Sequence, residues 1–264
     1  MGYSYNAKDH IHLYDGKPLV GTSTAKDIIA KGGLTWWASG MACAEFGWLN
    51  PKKHSNEDRL LHAELGKAMI ELLSKEKYLA LLDKAYKAHS VKLKTSAGEG
   101  TDLHALIEEF IKSRINGINY VADIKLKPFI EWTNKNVKRF LFSEVHCYSK
   151  PLWVGGIADF GYVDMEGRHV LGDIKSSKEA YFSQWVQLAG YDIQIDENGG
   201  FDAKGNQTFG RVGFVQHAIF AAGAGLDKPF FNKGEGLHRT KQAFRNAVNL
   251  YKDKMFFEKD KEVV

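Results

Sequence analysis

Asp159, Asp173 and Lys175 stand where a β-sheet would otherwise be apolar. They lie in the stretch VGGIADFGYVDMEGRHVLGDIKSS, residues 154–177, whose apolar content and turn residues read as a β-hairpin. Alternate residues of a strand share a face, so Asp173 and Lys175 project together while Ile174 points the other way. A short turn at Met165-Glu166-Gly167 would fold the strand carrying Asp159 back antiparallel to them. That places the two aspartates close, near the end of the hairpin away from the turn. Carboxylates so near each other repel unless a cation lies between them. A hard divalent ion held by carboxylate, carbonyl and water suits that pair, and magnesium has those preferences. A lysine beside the acids would orient or deprotonate a water, or hold a phosphate. A bare D-x-K triplet also describes a solvent-facing ion pair on an edge strand, so its neighbours have to decide.

Gly155 and Gly156 precede Asp159 within its strand, where glycine marks either a bulge or a close approach by another backbone or a ligand. Upstream, His104 and Glu108 are spaced i, i+4 on one helix face; downstream, Gln187 and Tyr191 repeat that spacing. Taken singly, each pair reads as an ordinary polar stripe.

The elements that must position these residues follow from periodicity. STAKDIIAK reads as a short helix capped by Ser23 or Thr24, and LTWWASGMACAEFGW as a second, apolar one. Ser55 caps a long helical pattern that runs to about Leu93, with Glu57 and Asp58 in its first turn. KTSAGEGT breaks it, and a new helix starts at Thr101; another starts at Pro128 and runs to about Phe140. The period then changes to two: FSEVHCYS, LWVGGIADFGYVD and HVLGDIKSS read as three successive strands. A helix over EAYFSQWVQLAGYDIQI, a glycine-rich loop, a strand over RVGFVQHAIF and a final amphipathic helix complete the chain. The class is mixed α/β with a small mixed sheet, and the one soft boundary lies near residue 97.

Composition narrows the functions. The 264 residues are 44% hydrophobic and 26% charged, the profile of a globular protein. A formal charge of +4 is compatible with nucleic acid without being diagnostic. Cys43 and Cys147 lack CxxC partners, which excludes a four-cysteine zinc or iron–sulfur site and suggests a reducing compartment. No signal-peptide layout or transmembrane-length apolar run is found, so a cytoplasmic location without membrane attachment is expected. The phosphate-loop pattern GxxxxGK[ST] is absent, which argues against a nucleotide-driven enzyme.

In chain order the chemistry-bearing residues are G-T-x-x-H (Gly100, Thr101, His104), G-x-x-D (Gly156, Asp159), D-x-K (Asp173, Ile174, Lys175) and Q-x-x-x-Y (Gln187, Tyr191). In that order, on helix, strand, strand and helix, the sequence resembles the RecB-type branch of the PD-(D/E)XK nuclease superfamily. That branch includes mitochondrial single-strand exonucleases and many phage exonucleases. The resemblance covers about residues 98 to 192. It implies an α/β restriction-endonuclease-like core over 98–264, a small mixed sheet flanked by helices, with a helical N-terminal region over 1–97.

The resemblance further implies a Mg2+-dependent DNA exonuclease of recombination, repair or phage replication, with Mn2+ able to substitute. His104, Asp159, Asp173 and the Ile174 carbonyl would bind the metal, and Lys175 would position or activate the attacking water. Glu108, Glu144, Gln187 and Tyr191 would support the site, while Gly156 and Ser176 would meet DNA. The implied partners are DNA with single-stranded ends and a single-strand-binding or annealing protein. An endonuclease on the same core, or a nuclease-fold protein that binds DNA without cutting, would carry the same motifs. The sequence departs from the pattern in that Ala158, not proline, precedes Asp159, and it lacks the four cysteines of cluster-bearing relatives.

The segment before residue 95 resembles the leading helices of phage members more loosely. There Trp36 and Trp37 read as core, or as a platform for unpaired bases. Lys125, Lys127, Lys135, Lys138 and Arg139 form one basic cluster, and Arg239, Lys241 and Arg245 another; both would track phosphates or simply be solvated faces.

Overall fold

A computed structural model describes residues 2–29, 34–121 and 123–260, without the side chains of residues 34, 93–101, 259 and 260. The chain divides into two compact units, residues 31–99 and residues 1–30 together with 100–264. The first thirty residues thus pack with the sheet.

Within the larger unit, strands β1 (Tyr3–Asn6), β2 (Ile11–Tyr14) and β3 (Lys17–Pro18) form a small antiparallel sheet, followed by β4 (Val20–Gly21) and the short helix α1 (Thr22–Lys26). This hairpin is not among the elements expected above. Its signal is Asp15-Gly16, whose φ values of 49° and 74° suit a tight hairpin turn. In the smaller unit, α2 (Leu34–Ala44) precedes α3 (Asn56–Glu71), and Ser55 accepts the Asp58 N–H at 3.1 Å as the expected cap. The pattern expected to continue to Leu93 instead breaks after Glu71, and α4 runs from Lys75 to Asn116. Backbone helix therefore passes through KTSAGEGT, where a break was expected. The motif residues Gly100 and Thr101 lie there, outside the residues whose side chains are described.

Helix α5 (Lys127–Asn136) ends four residues earlier than periodicity suggests. Val137 instead opens β5 (Val137–Ser149), because pairing with β6 (Val154–Asp164) reaches back to Val137 opposite Asp164. Strand β7 (His169–Lys175) completes the predicted hairpin. Asp164 closes its turn: Oδ1 accepts the N–H groups of Glu166 and Arg168, Oδ2 pairs with the Arg168 guanidinium, and Gly167 takes a φ of 84°. Helix α6 (Phe182–Asn198) then leads to β8 (Gly200–Phe201) and β9 (Gln207–Phe209), a hairpin in the expected loop. Strands β10 (Gln216–Ala221) and β11 (Phe230–Lys233) and helix α7 (Glu235–Asp260) follow.

The eight-stranded sheet has the order β11-β10-β7-β6-β5-β8-β9, with β4 parallel to part of β6. β10 runs parallel to β7, and the other pairings along this order are antiparallel. The larger unit is therefore α/β, a mixed central sheet flanked by helices. One core joins Ile107, Phe110 and Phe129 to Phe160, Tyr162 and Phe220. Two others pack α6 and α7 on the sheet through Leu188, Tyr191 and Ile195 and through Val186, Ile193 and Phe244. Each fully buried aromatic contributes about 1.5–3 kcal/mol relative to exposure.

Two polar arrangements tie these layers together. Asp192 of α6, fully buried, receives His217 of β10 at 2.9 Å and Lys241 of α7 at 2.8 Å. Near the N-terminus, the Tyr3 hydroxyl meets Nδ1 of both His12 and His146, at 2.6 and 3.1 Å, and the Tyr5 ring lies against both imidazoles.

Burial lowers the His12 pKa to about 4, with His146 adding to the effect, and burial also lowers that of His146 against the opposing charge of Asp202. The unfolded chain takes up the His12 proton near its ordinary pKa of about 6.5, so acid favours unfolding between that value and about 4. Unfolding free energy, measured by urea titration, is therefore expected to fall as pH drops through that window, and His12→Gln should flatten the decline. An unchanged slope in the variant would contradict this account.

Candidate active site

Asp159, Asp173 and Lys175 are brought together by register. β6 and β7 pair from Val163–His169 to Phe160–Gly172, so Asp159 and Asp173 occupy the next step, at the end away from the turn. From there the two carboxylates diverge. The Lys175 ammonium lies 2.6 Å from Asp173 Oδ2, on the face opposite Ile174, whose side chain joins the core with Ile107 and Phe129. Asp159 turns toward α4, and its Oδ2 accepts the Ile174 N–H at 2.9 Å.

The environment of Asp173 is severe. The residue is 1% exposed, and its Oδ1 has no hydrogen-bond partner among the described residues. Burial pushes its pKa up to about 6; Lys175 opposes that shift and the Asp159 charge adds to it. Burial acts against the Lys175 charge, but Asp173 and Asp159 outweigh it and hold the ammonium pKa above its ordinary value. Lysine here is a cation held by two acids.

A small cleft opens on the α4 side. His104, Glu108, Ser143, Glu144, Asp159 and Ile174 line it, and its volume of ≈ 10 Å3 has room for about one water or ion. His104 donates from Nε2 to the Ile174 carbonyl at 2.8 Å, which leaves Nδ1 as the nitrogen with a lone pair, 3.7 Å from Asp159 Oδ2. Two expected metal donors, His104 and the Ile174 carbonyl, are thus bonded to each other. Glu108 pairs with Lys112, a cation that the motifs do not mark. Glu144 shares the register step of Asp159 and has a φ of 48°, a left-handed conformation uncommon for glutamate. Partial burial and Glu108 raise its carboxyl pKa, and Asp159 adds to the rise. Ser143 Oγ is buried without a partner among the described residues, and only its position beside Glu144 could have pointed to it.

Among the described residues, no three His, Cys, Asp or Glu side chains are gathered as a metal-binding group. The donor chemistry nevertheless fits a hard divalent cation: carboxylates of Asp159 and Asp173, one imidazole, a main-chain carbonyl, and a buried carboxylate oxygen with no other partner.

Gln187 and Tyr191 sit beneath this assembly. Gln187 Nε2 donates to the Tyr191 hydroxyl at 2.7 Å and reaches Ser23 of α1 at 3.2 Å. Burial, then Asp173 and Asp159, raise the Tyr191 pKa, so the phenol stays protonated. Gly155 and Gly156 pair regularly with Tyr148 and Cys147, so neither forms a bulge. Their faces are filled by protein: a Cβ on Gly155 would lie 2.6 Å from His12 Cβ, and one on Gly156 would lie 2.6 Å from both Thr22 and Tyr191. Thr22 itself donates to the Gly155 carbonyl at 3.0 Å and accepts from Gln194 at 2.8 Å. The motifs did not mark this link.

Ser176 follows β7 and is exposed. Trp36 and Trp37 belong to the other unit. Trp36 is 84% exposed, so the reading of the Trp pair as core does not hold for it.

No family model matches the chain, and no curated protein is similar to it. Among the described residues no helix is long and apolar enough to cross a membrane.

The packing around Gly156 gives a direct test. Gly156→Val is expected to cost about 1–3 kcal/mol of unfolding free energy by forcing Thr22 and Tyr191 away from β6. A denaturant midpoint equal to that of the unaltered protein would show that the close approach does not hold the site together.

Proposed function

We propose that the chain is a Mg2+-dependent DNA phosphodiesterase, an exonuclease of PD-(D/E)XK type on a restriction-endonuclease-like core. The observation that carries this reading is the Asp173 carboxylate, buried in the sheet with one oxygen unpartnered, beside Asp159 and against Lys175. Burying that charge is expensive, and a divalent cation offsets it with chemistry that a structural ion pair does not need. Preference for ends over internal sites rests on the resemblance of the motifs alone.

In this reading Asp159, Asp173, the Ile174 carbonyl and His104 Nδ1 would hold the ion. When bound, it supplies Lewis-acid charge at the phosphoryl oxygen and acidifies water. The chain's own residues do the rest. Lys175, kept charged by its two acids, directs N–H groups at the water and the phosphate rather than serving as the base. Asp173 fixes Lys175, Tyr191 and Gln187 brace the floor, and Glu144 and Glu108 set the negative rim on the α4 side. The water oxygen bonds to phosphorus as the P–O3′ bond breaks; the water proton passes to solvent and the leaving 3′ oxygen takes one up. The products are a 5′-phosphate and a 3′-hydroxyl.

One observation favours a second reading. Because His104 is engaged by the Ile174 carbonyl, a nuclease-fold protein that binds DNA without cutting it fits the same geometry. Cleavage of end-labelled linear and closed circular DNA with Mg2+ separates the two. Loss of linear DNA that EDTA abolishes, and that Lys175→Ala slows by at least about 100-fold, is expected, with circles left intact. Cutting of circles would make the enzyme an endonuclease. Tight binding with no cleavage of either substrate would select the second reading.

A further inference from the structure

Helix α4 and strand β5 flank the cleft at the carboxylates. Farther along the same two elements is a cavity of ≈ 520 Å3 whose lining includes Ser113, Arg114, Ile118, Lys138, Arg139 and Phe140, and no carboxylate. Arg114, Lys138 and Arg139 are exposed, and none has an ion-pair partner among the described residues. The hydroxyls there are already used: Ser113 donates to the Phe110 carbonyl and Thr133 to that of Ile130. The side-chain donors left facing the space are the three cations and the Asn119 amide.

Local backbone explains why three cations converge. Register between β5 and β6 shifts between Val137 and Arg139, leaving Lys138 as an extra residue. Such a bulge bends the strand and re-aims side chains, so consecutive Lys138 and Arg139 line one cavity instead of alternating across the sheet. Arg114 lies in the last turn of α4, where the helix dipole favours positive charge. Three basic residues of the clusters noted in the sequence are offset by acids instead: Lys127 faces Glu131, Arg239 faces Glu235, and Lys241 is spent on buried Asp192.

We propose that this cavity is a phosphate-backbone site for the nucleic-acid strand whose end lies at Asp159 and Asp173. The proposal rests on the phosphodiesterase reading and adds where the substrate runs. Along α4, Glu108 to Arg114 spans about 9 Å at 1.5 Å per residue. Along β5, Glu144 to Arg139 spans about 17 Å at 3.3–3.4 Å per residue. At roughly 3.4 Å per nucleotide, the cations meet phosphates about three to five nucleotides from the cut.

The test is anisotropy of a labelled single-stranded oligodeoxynucleotide in EDTA, titrated with salt. The protein with Arg114→Gln, Lys138→Gln and Arg139→Gln is compared with a charge-matched control carrying Lys8→Gln, Lys204→Gln and Lys228→Gln, all exposed positions. Removing three phosphate-neutralising cations should reduce the slope of log K against log salt by about 2, at roughly 0.7 per phosphate neutralised. The control should keep the original slope. Equal slopes for the two variants would overturn the proposal, and the phosphodiesterase reading would survive if cleavage still depended on Lys175. No binding by the unaltered protein, together with no Lys175-dependent cleavage, would overturn both.

Discussion

An ionised carboxylate inside a sheet costs several kcal/mol unless it is matched, and the site is organised around that cost at Asp173. Lys175 matches one oxygen and leaves the other without a partner among the described residues. Asp159, directly opposite in register, cannot relieve the charge and instead adds to it. Its Oδ2 accepts the Ile174 N–H, while Lys175 pairs with Asp173. The result is an acid pair facing each other across β6 and β7, one carboxylate held by Lys175 and the other by the Ile174 N–H.

Holding that arrangement requires close packing from both layers. On one face, α4 brings His104 against the Ile174 carbonyl and Glu108 to the cleft rim. On the other, Tyr191 of α6 fills the face of Gly156, and Thr22 of α1 bonds the neighbouring Gly155 carbonyl. The two glycines serve the protein's own packing, because any side chain there would meet protein atoms under 3 Å away. A second buried carboxylate, Asp192, is matched by both His217 and Lys241, which ties α6 and α7 to β10. Both partners engage Asp192 Oδ2, and its Oδ1, like that of Asp173, has no partner among the described residues. Asp173 differs in having one cation and a second carboxylate, Asp159, directly opposite.

The hairpin with Asp159 and Asp173 was legible because period-two patterning and the Met165-Glu166-Gly167 turn fix register locally. The Ser55 cap was legible for the same reason, since the Ser55–Asp58 bond is made within one turn. The N-terminal hairpin was harder to read. It is four residues per strand, and its packing partners, His146, Tyr148 and Phe201, lie far away in sequence. The early end of α5 has a similar origin, because β6 captures Val137 through a tertiary pairing that helix propensity does not encode. Around the site, His104 and Glu108 could be placed on one face from spacing alone. The bond from His104 to Ile174, the left-handed Glu144 and the bulge at Lys138 depend on how distant elements meet.

The central claim is that the unpartnered Asp173 oxygen is there for a divalent cation. Mn2+ binding, followed by the loss of the free-ion electron paramagnetic resonance signal, tests it without any substrate. The unaltered protein should take up Mn2+ that excess Mg2+ displaces, and Asp173→Asn should lose that uptake while remaining folded by circular dichroism. Equal uptake by the folded variant, or none by the unaltered protein, would contradict the account and leave Asp173 and Lys175 as a structural ion pair.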